Sequence, residues 1–227
     1  MARKTLLTIV TITLGAMPVN GAPLFFSMTG VGDANNQADV LFEYDTTLEK
    51  LLIDIKNTSP LHDPRITSFA FNVPTAVTGI SSFSGPTGWT SLHDSNDIDT
   101  PGQFGFFDMA GLTGANFNGG SPNDGVPRNS TFHFELTLLG TGLGSLTESS
   151  FLSLLAHDPP GNPDEAEYYF IARFQGTGSN GGGSDVAIPG QIQTPPPPTT
   201  VPEPASLLLL GAGISGLTLL RRRKSKS

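Results

Sequence analysis

Thr131-Phe132-His133-Phe134-Glu135-Leu136-Thr137-Leu138-Leu139 is the stretch that decides the fold. Phe132, Phe134, Leu136 and Leu138 alternate with Thr131, His133, Glu135 and Thr137, so an extended chain carries all four apolar side chains on one face. A helix would scatter them around its axis. A strand that is apolar on one face and polar on the other belongs to an antiparallel sheet with one side on a core and one in water. His133 accordingly faces solvent.

The same period recurs on both sides of this strand. Ala38 to Asp45 alternates Val40, Phe42 and Tyr44 with more polar neighbours, and Leu51, Ile53 and Ile55 continue until Asn57-Thr58-Ser59-Pro60 stops them. Thr46-Thr47-Leu48-Glu49, between the two runs, has the form of a capping box and admits a helix there; the β-rich context favours strand. Phe69, Phe71 and Val73 share a face ahead of Pro74. Thr78 to Phe83, Gln103 to Met109 (Phe104 and Phe106 inward), Tyr168 to Phe174 and Asp185 to Ile188 are further strands. One short helix is predicted over Thr147 to Leu155, with Ser145 and Glu148 as its capping box and Phe151, Leu152 and Leu155 on its apolar face. The 27 glycines and 19 prolines, with 15 phenylalanines, suit a turn-rich β protein. The expected fold is all-β: an antiparallel β-sandwich, immunoglobulin-like or cohesin-like, with a jelly roll as the rival, plus one short helix. It occupies residues 22–190.

Composition narrows the partners. Seven of the twelve cations are Arg3, Lys4, Arg221, Arg222, Arg223, Lys224 and Lys226, at the two ends of the chain. Lys50, Lys56, Arg65, Arg128 and Arg173 alone face the nineteen carboxylates between residues 22 and 200, a net charge of −14 for the body. So acidic a surface argues against nucleic acid as a partner and suits divalent cations or plain solubility. There is no cysteine, which excludes disulfides, thiol nucleophiles and cysteine-based metal sites. An ordinary hydrophobic core must hold the domain together.

The two ends read as targeting segments. Arg3 and Lys4 precede an apolar run from Thr5 to Met17, about 13 residues long and too short to span a bilayer comfortably. Val19-Asn20-Gly21 then offers small residues at −3 and −1, so residues 1–21 read as a signal peptide that signal peptidase removes ahead of Ala22. At the other end, residues 191–200 form a proline-rich linker, with Pro195 to Pro198 as a stiff spacer. Val201-Pro202-Glu203-Pro204 follows, then an apolar run from Ala205 to Leu220 and the basic stop Arg221-Arg222-Arg223-Lys224. That run makes a helix of roughly 24 Å at ~1.5 Å per residue, a marginal transmembrane span, and its cations should stay cytoplasmic.

An extended Pro-Glu-Pro entry, a short hydrophobic helix and a basic stop, in that order over 201–227, resemble the PEP-CTERM sorting signal that an exosortase recognises in certain Gram-negative bacteria. The resemblance implies an inner-membrane-anchored precursor, cut by an exosortase-type protease and delivered to the cell surface or beyond. It also implies an exopolysaccharide or biofilm setting. Leu138 to Glu148 and Gly183 to Pro189 are similar to one common class of PEP-CTERM body domains, a class without assigned chemistry.

No residue pattern names a reaction. Gly-x-Ser-x-Gly, His-Glu-x-x-His, phosphate-loop and dinucleotide motifs are all absent. His62-Asp63, His93-Asp94 and His157-Asp158 read either as a shared site or, more simply, as three turns. Asp94, Asn96, Asp97 and Asp99 gather three carboxylates and an amide in six residues, a calcium loop on one reading and a solvated acidic loop on the other. The EF-hand pattern fails there, because Ile98 or Pro101 stands where an oxygen ligand is needed. Trp89, the one tryptophan, follows Pro86-Thr87-Gly88 and fits a sugar-stacking platform or a core position. The expectation is a non-catalytic, exported structural or adhesive protein without a cofactor. The alternative is a carbohydrate- or calcium-binding module on the cell surface.

Overall fold

The computed structural model describes residues 21–101, 104–157 and 168–193, with the backbone alone for residues 94–97. Residues 1–20 of the signal peptide, residues 194–200 of the linker, the sorting motif Val201–Pro204, the apolar run and the basic stop Arg221–Lys224 lie outside the described residues.

Ten strands form: β1 Leu24–Gly30, β2 Gln37–Asp45, β3 Lys50–Asn57, β4 Arg65–Phe71, β5 Val77–Ser84, β6 Thr90–Asp99, β7 Phe106–Leu112, β8 Thr131–Gly140, β9 Phe170–Gln175 and β10 Ser184–Pro189. All pairings are antiparallel, in the order β5-β8-β3-β2-β1-β10-β9-β4-β7-β6. The all-β antiparallel class is as the sequence predicts, but the two expected layers are one continuous sheet. They are joined through three residue pairs between β1 and β10: Met28–Pro189, Thr29–Ile188 and Gly30–Ala187. The sheet folds back until its end strands β5 and β6 come together, so it is nearly closed. Among the described residues no ladder joins β5 to β6, so these two strands remain the edges of the sheet.

The interior is aromatic. Phe42 of β2 meets Phe71 of β4 edge-on at 5.6 Å, Phe26 of β1 meets Phe170 of β9 at 5.3 Å, and Phe69 of β4 meets Phe134 of β8 at 5.0 Å. Each pair crosses from one half of the sheet to the other. A smaller apolar cluster lies behind β4, β7 and β9, where Ala70, Ala110, Leu112 and Ile171 pack with Phe104, Phe117 and Ala156. β4 and β7 are therefore buried on both faces. Gly111 is required at that crossing: a Cβ there would sit 2.4 Å from the Phe69 ring.

Local departures from the sequence expectations have local causes. Gly105 adopts φ 76°, which interrupts the alternation between Phe104 and β7. Phe104 is buried as expected, but within β7 Phe107 is the fully buried ring and Phe106 only half-buried. Thr46 to Glu49 is a hairpin turn and not a helix: Asp45 Oδ1 accepts the Thr47 and Leu48 N–H groups, and Glu49 takes φ 52°. The helix α1 is shorter than expected, Glu148–Leu152, and its cap is Thr147 with Ser150, in place of Ser145 with Glu148. Ser145 ends a separate 3-10 turn at Leu143–Ser145, and Leu155 is exposed. β1 and β6 have no counterpart among the expected strands. The sheet keeps the chain as far as Gln193, which bridges to Phe25, so the first three residues of the expected linker belong to the domain.

Candidate functional sites

Trp89 enters from the turn that joins the two end strands. It is 7% exposed. Its indole lies 5.9 Å from Phe69, near parallel, and 4.7 Å from Phe134, and its Nε1–H donates to the Asp124 carbonyl at 2.8 Å. A stacking platform needs an open ring face, whereas these faces meet phenylalanines. The sugar-stacking expectation for Trp89 gives way to the core position, because closing the sheet requires a large side chain where β5 passes to β6.

The polar face of β8 carries an ion-pair ladder across β3. Lys50 Nζ lies 3.0 Å from Glu135 Oε2, His133 Nε2 lies 3.4 Å from Glu135 Oε1, and His133 Nδ1 contacts Asp54 Oδ1 at 2.5 Å. Strand pairing dictates the contacts, since Asp54 stands directly opposite His133. The hydrogen bond to Asp54 raises the His133 pKa against a smaller opposing effect of desolvation, and the Lys50 hydrogen bond lowers that of Glu135. His133 faces solvent as expected. The ladder is a surface network.

A groove of about 490 Å³ lies between the loop after β4 and the chain leaving α1. Asp108, Asn72, Leu155 and His157 line it. Asp108 Oδ2 accepts the Val73 N–H, Asn72 Oδ1 accepts the Asp108 N–H, and His157 Nε2 stands 4.0 Å from Asp108 Oδ1. These bonds tie the β4–β5 loop to β7, so much of the groove's polar lining serves the backbone.

Among the described residues the histidine–aspartate pairs form no shared site, and Asp158 and the Asp94 side chain lie outside them. The His62 carbonyl accepts from Arg128 and its own backbone takes φ 56°, while Asp63 pairs with Arg65 at 2.8 Å. His157 turns to Asp108, and His93 sits in β6 opposite Met109. Among the described residues no three of His, Cys, Asp and Glu group as metal ligands. The Asp94–Asp99 segment belongs to β6 and is not a free loop. His93 pairs with Met109 and Ile98 with Phe107, so β6 takes three more residues than β7 over that stretch and bulges there. Asp99 is exposed on the strand. The side chains of Asp94, Asn96 and Asp97 lie outside the described residues.

Two carboxylates that carry structure escaped the sequence reading. Asp185 accepts the Gly32 and Asp33 N–H groups at 2.9 Å each and Asn36 Nδ2 at 2.8 Å, fastening the β1–β2 turn to β10 at the seam of the sheet. Glu148, expected as a capping residue, is 3% exposed, and its Oε1 accepts the Tyr44 N–H at 3.1 Å. Its carboxylate lies against Gly21: a Cβ on Gly21 would stand 2.1 Å from Oε2. The Tyr44 hydroxyl donates to the Leu143 carbonyl, and burial pushes its pKa up to about 12. No sequence period signals the contacts of these two carboxylates, since each links residues more than a hundred positions apart.

An acidic, nearly closed β domain followed by a tripartite tail defines the class: an exported body with a sorting address. Residues 200–224 match the family model described as the PEP-CTERM protein-sorting motif, a span that takes in both Val201–Pro204 and Arg221–Lys224. The chain carries that motif, which makes it a substrate of exosortase-type sorting, associated with the membrane at its C-terminal end and destined for the cell surface or exterior. No curated protein and no solved structure matches the chain. Among the described residues no helix is long and apolar enough to cross a membrane, and Ala205–Leu220 lies outside them.

Proposed function

We propose that this is a non-catalytic surface or extracellular-matrix protein whose acidic β domain acts as a structural or adhesive element in an exopolysaccharide or biofilm setting. Signal peptidase removes residues 1–21, the tail holds the precursor at the inner membrane, and an exosortase-type protease releases the body. The sorting motif at residues 200–224 carries the reading. The body supports it in two ways: a net charge of −14 keeps it soluble outside the cell, and a nearly closed sheet gives a compact element without disulfides.

The test is to fractionate cells expressing the full chain or a chain truncated before Val201, then sequence both termini of the product. Release of the full chain without Arg221–Lys224, and failure of the truncated chain to reach the surface, is the expected result. A mature product that keeps the basic cluster in the membrane would make this a plain tail-anchored protein.

The irregular register of β6 between His93 and Ile98 favours a second reading, calcium binding by Asp94, Asn96, Asp97 and Asp99, which gather three carboxylates and an amide in six residues. Calcium should then raise the melting temperature, and chelator lower it, in the parent but not in Asp97→Ala with Asp99→Ala. Equal insensitivity of both proteins removes the reading. A carbohydrate-binding role needs a surface other than Trp89.

A further inference from the structure

We propose that Glu148 is a built counter-ion site for the α-ammonium group that export creates on Ala22, so that loss of the signal peptide completes the fold. The inference rests on the export reading above, with cleavage after Gly21.

Glu148 is 3% exposed, and its carboxylate takes one hydrogen bond, from a neutral backbone N–H. Oε1 has the Tyr44 N–H, but Oε2 has no donor among the described residues. No cation there reaches it either: Lys50, Arg65, Arg128 and Arg173 go to Glu135, Asp63, the His62 carbonyl and Ser184, and Lys56 is exposed on β3 opposite Asp39 and Thr131. The residue's position supplies the missing partner. β1 pairs Leu24 with Phe42, and two further residues in that register set Ala22 opposite Tyr44. The Tyr44 N–H that a longer β1 would bond is taken by Glu148, so the carboxylate sits at the mouth of the strand where the mature chain begins.

Gly21 occupies the space beside Oε2, and any side chain there would strike the carboxylate. The Ala22 nitrogen is two bonds from the Gly21 Cα. In the precursor it is an uncharged amide. Hydrolysis of the Gly21–Ala22 bond consumes one water, and Gly21 departs with the new carboxylate. Ala22 keeps an ammonium with three donors and the vacated room beside Oε2. The requirement for a small residue at the cleavage site and for close packing on Glu148 thus falls on the same glycine.

The test uses the exported protein recovered from cells, with its N-terminus sequenced. Limited reductive methylation followed by peptide mapping then separates the α-amine from the lysines. Near neutral pH, where free α-amines (pKa ~7.7–8.0) react readily, the folded protein's α-amine should react at least about 10-fold more slowly than in the unfolded chain. Glu148→Gln should restore the unfolded rate. An α-amine on Ala22 that reacts equally fast folded and unfolded, or that stays slow in Glu148→Gln, overturns the pairing. A mature terminus elsewhere than Ala22 overturns the cleavage reading itself, a separate failure. If Glu148→Gln does not fold, the rates in the unsubstituted protein decide alone.

Discussion

Replacing Trp89 by alanine tests whether the sheet closes around this residue. An aromatic side chain buries ~150–250 Å², and at ~25 cal/mol per Å² its removal forfeits roughly 4–6 kcal/mol as an upper figure. Measured large-to-small aromatic substitutions cost about 3–5 kcal/mol. Loss of the Nε1 bond to the Asp124 carbonyl adds about 1 kcal/mol and leaves that acceptor without its donor. A total near 4 kcal/mol is a large share of the ~5–15 kcal/mol that holds a domain folded. With a urea m-value of about 2 kcal/mol/M, the midpoint should fall by about 2 M, followed by circular dichroism because the substitution removes the one tryptophan. Trp89→Phe keeps a ring between Phe69 and Phe134 and loses the hydrogen bond, so its midpoint should fall by about 0.5–1 M. If Trp89→Ala unfolds at the parent's midpoint, the packing account is wrong. If it also loses binding to the producer's polysaccharide, Trp89 is a ligand platform after all.

Gly111→Ala drives a methyl into the Phe69 ring at 2.4 Å, between two strands buried on both faces, and should destabilise by about 1–3 kcal/mol in the same assay; a neutral effect would show that Phe69 has room to move. Asp185→Ala strips the acceptor from Gly32, Asp33 and Asn36 at the seam and should cost about 1.5–3 kcal/mol, with hydrogen exchange rising first in residues 30–36. Exchange rising uniformly instead would deny the seam a local role. The His133–Asp54 pair is pH-dependent. Because the folded His133 pKa is raised, its stabilisation is present below the unfolded value of ~6.5 and is lost as pH rises through the folded value. His133 is 53% exposed, so the pair is worth only ~0.2–1 kcal/mol. Asp54→Asn should therefore destabilise more at about pH 5.5 than at about pH 9, and an equal effect at both would remove His133 as the cause.

Strand identity was legible wherever one face met the core and the other met water. Val40, Phe42 and Tyr44, then Leu51, Ile53 and Ile55, then Phe134, Leu136 and Leu138 are all buried as their period of two requires. Legibility failed where that two-sided environment failed. β7 is buried on both faces, so Phe107 and Phe106 have no alternation to separate them, and the glycine at 105 shifts the phase. β6 escaped because its bulge places Asp94 to Asp97 where a strand pattern would continue. The helix cap was misplaced by two residues because Ser145 and Thr147 both satisfy the spacing, and tertiary contacts choose between them.

By itself the sequence determined the antiparallel β class, the acidity of the body and the sorting address of residues 200–224. Each follows from the local order of residue types. Only the tertiary structure decided that the two layers are one nearly closed sheet, that Trp89 faces inward, that Asp185 is a half-buried anchor at the seam and that Glu148 is a buried one. Those facts depend on which strands become neighbours. A strand's period states which face is apolar, but the pairing of β1 with β10 joins residues some 160 positions apart, and no local pattern encodes such a contact.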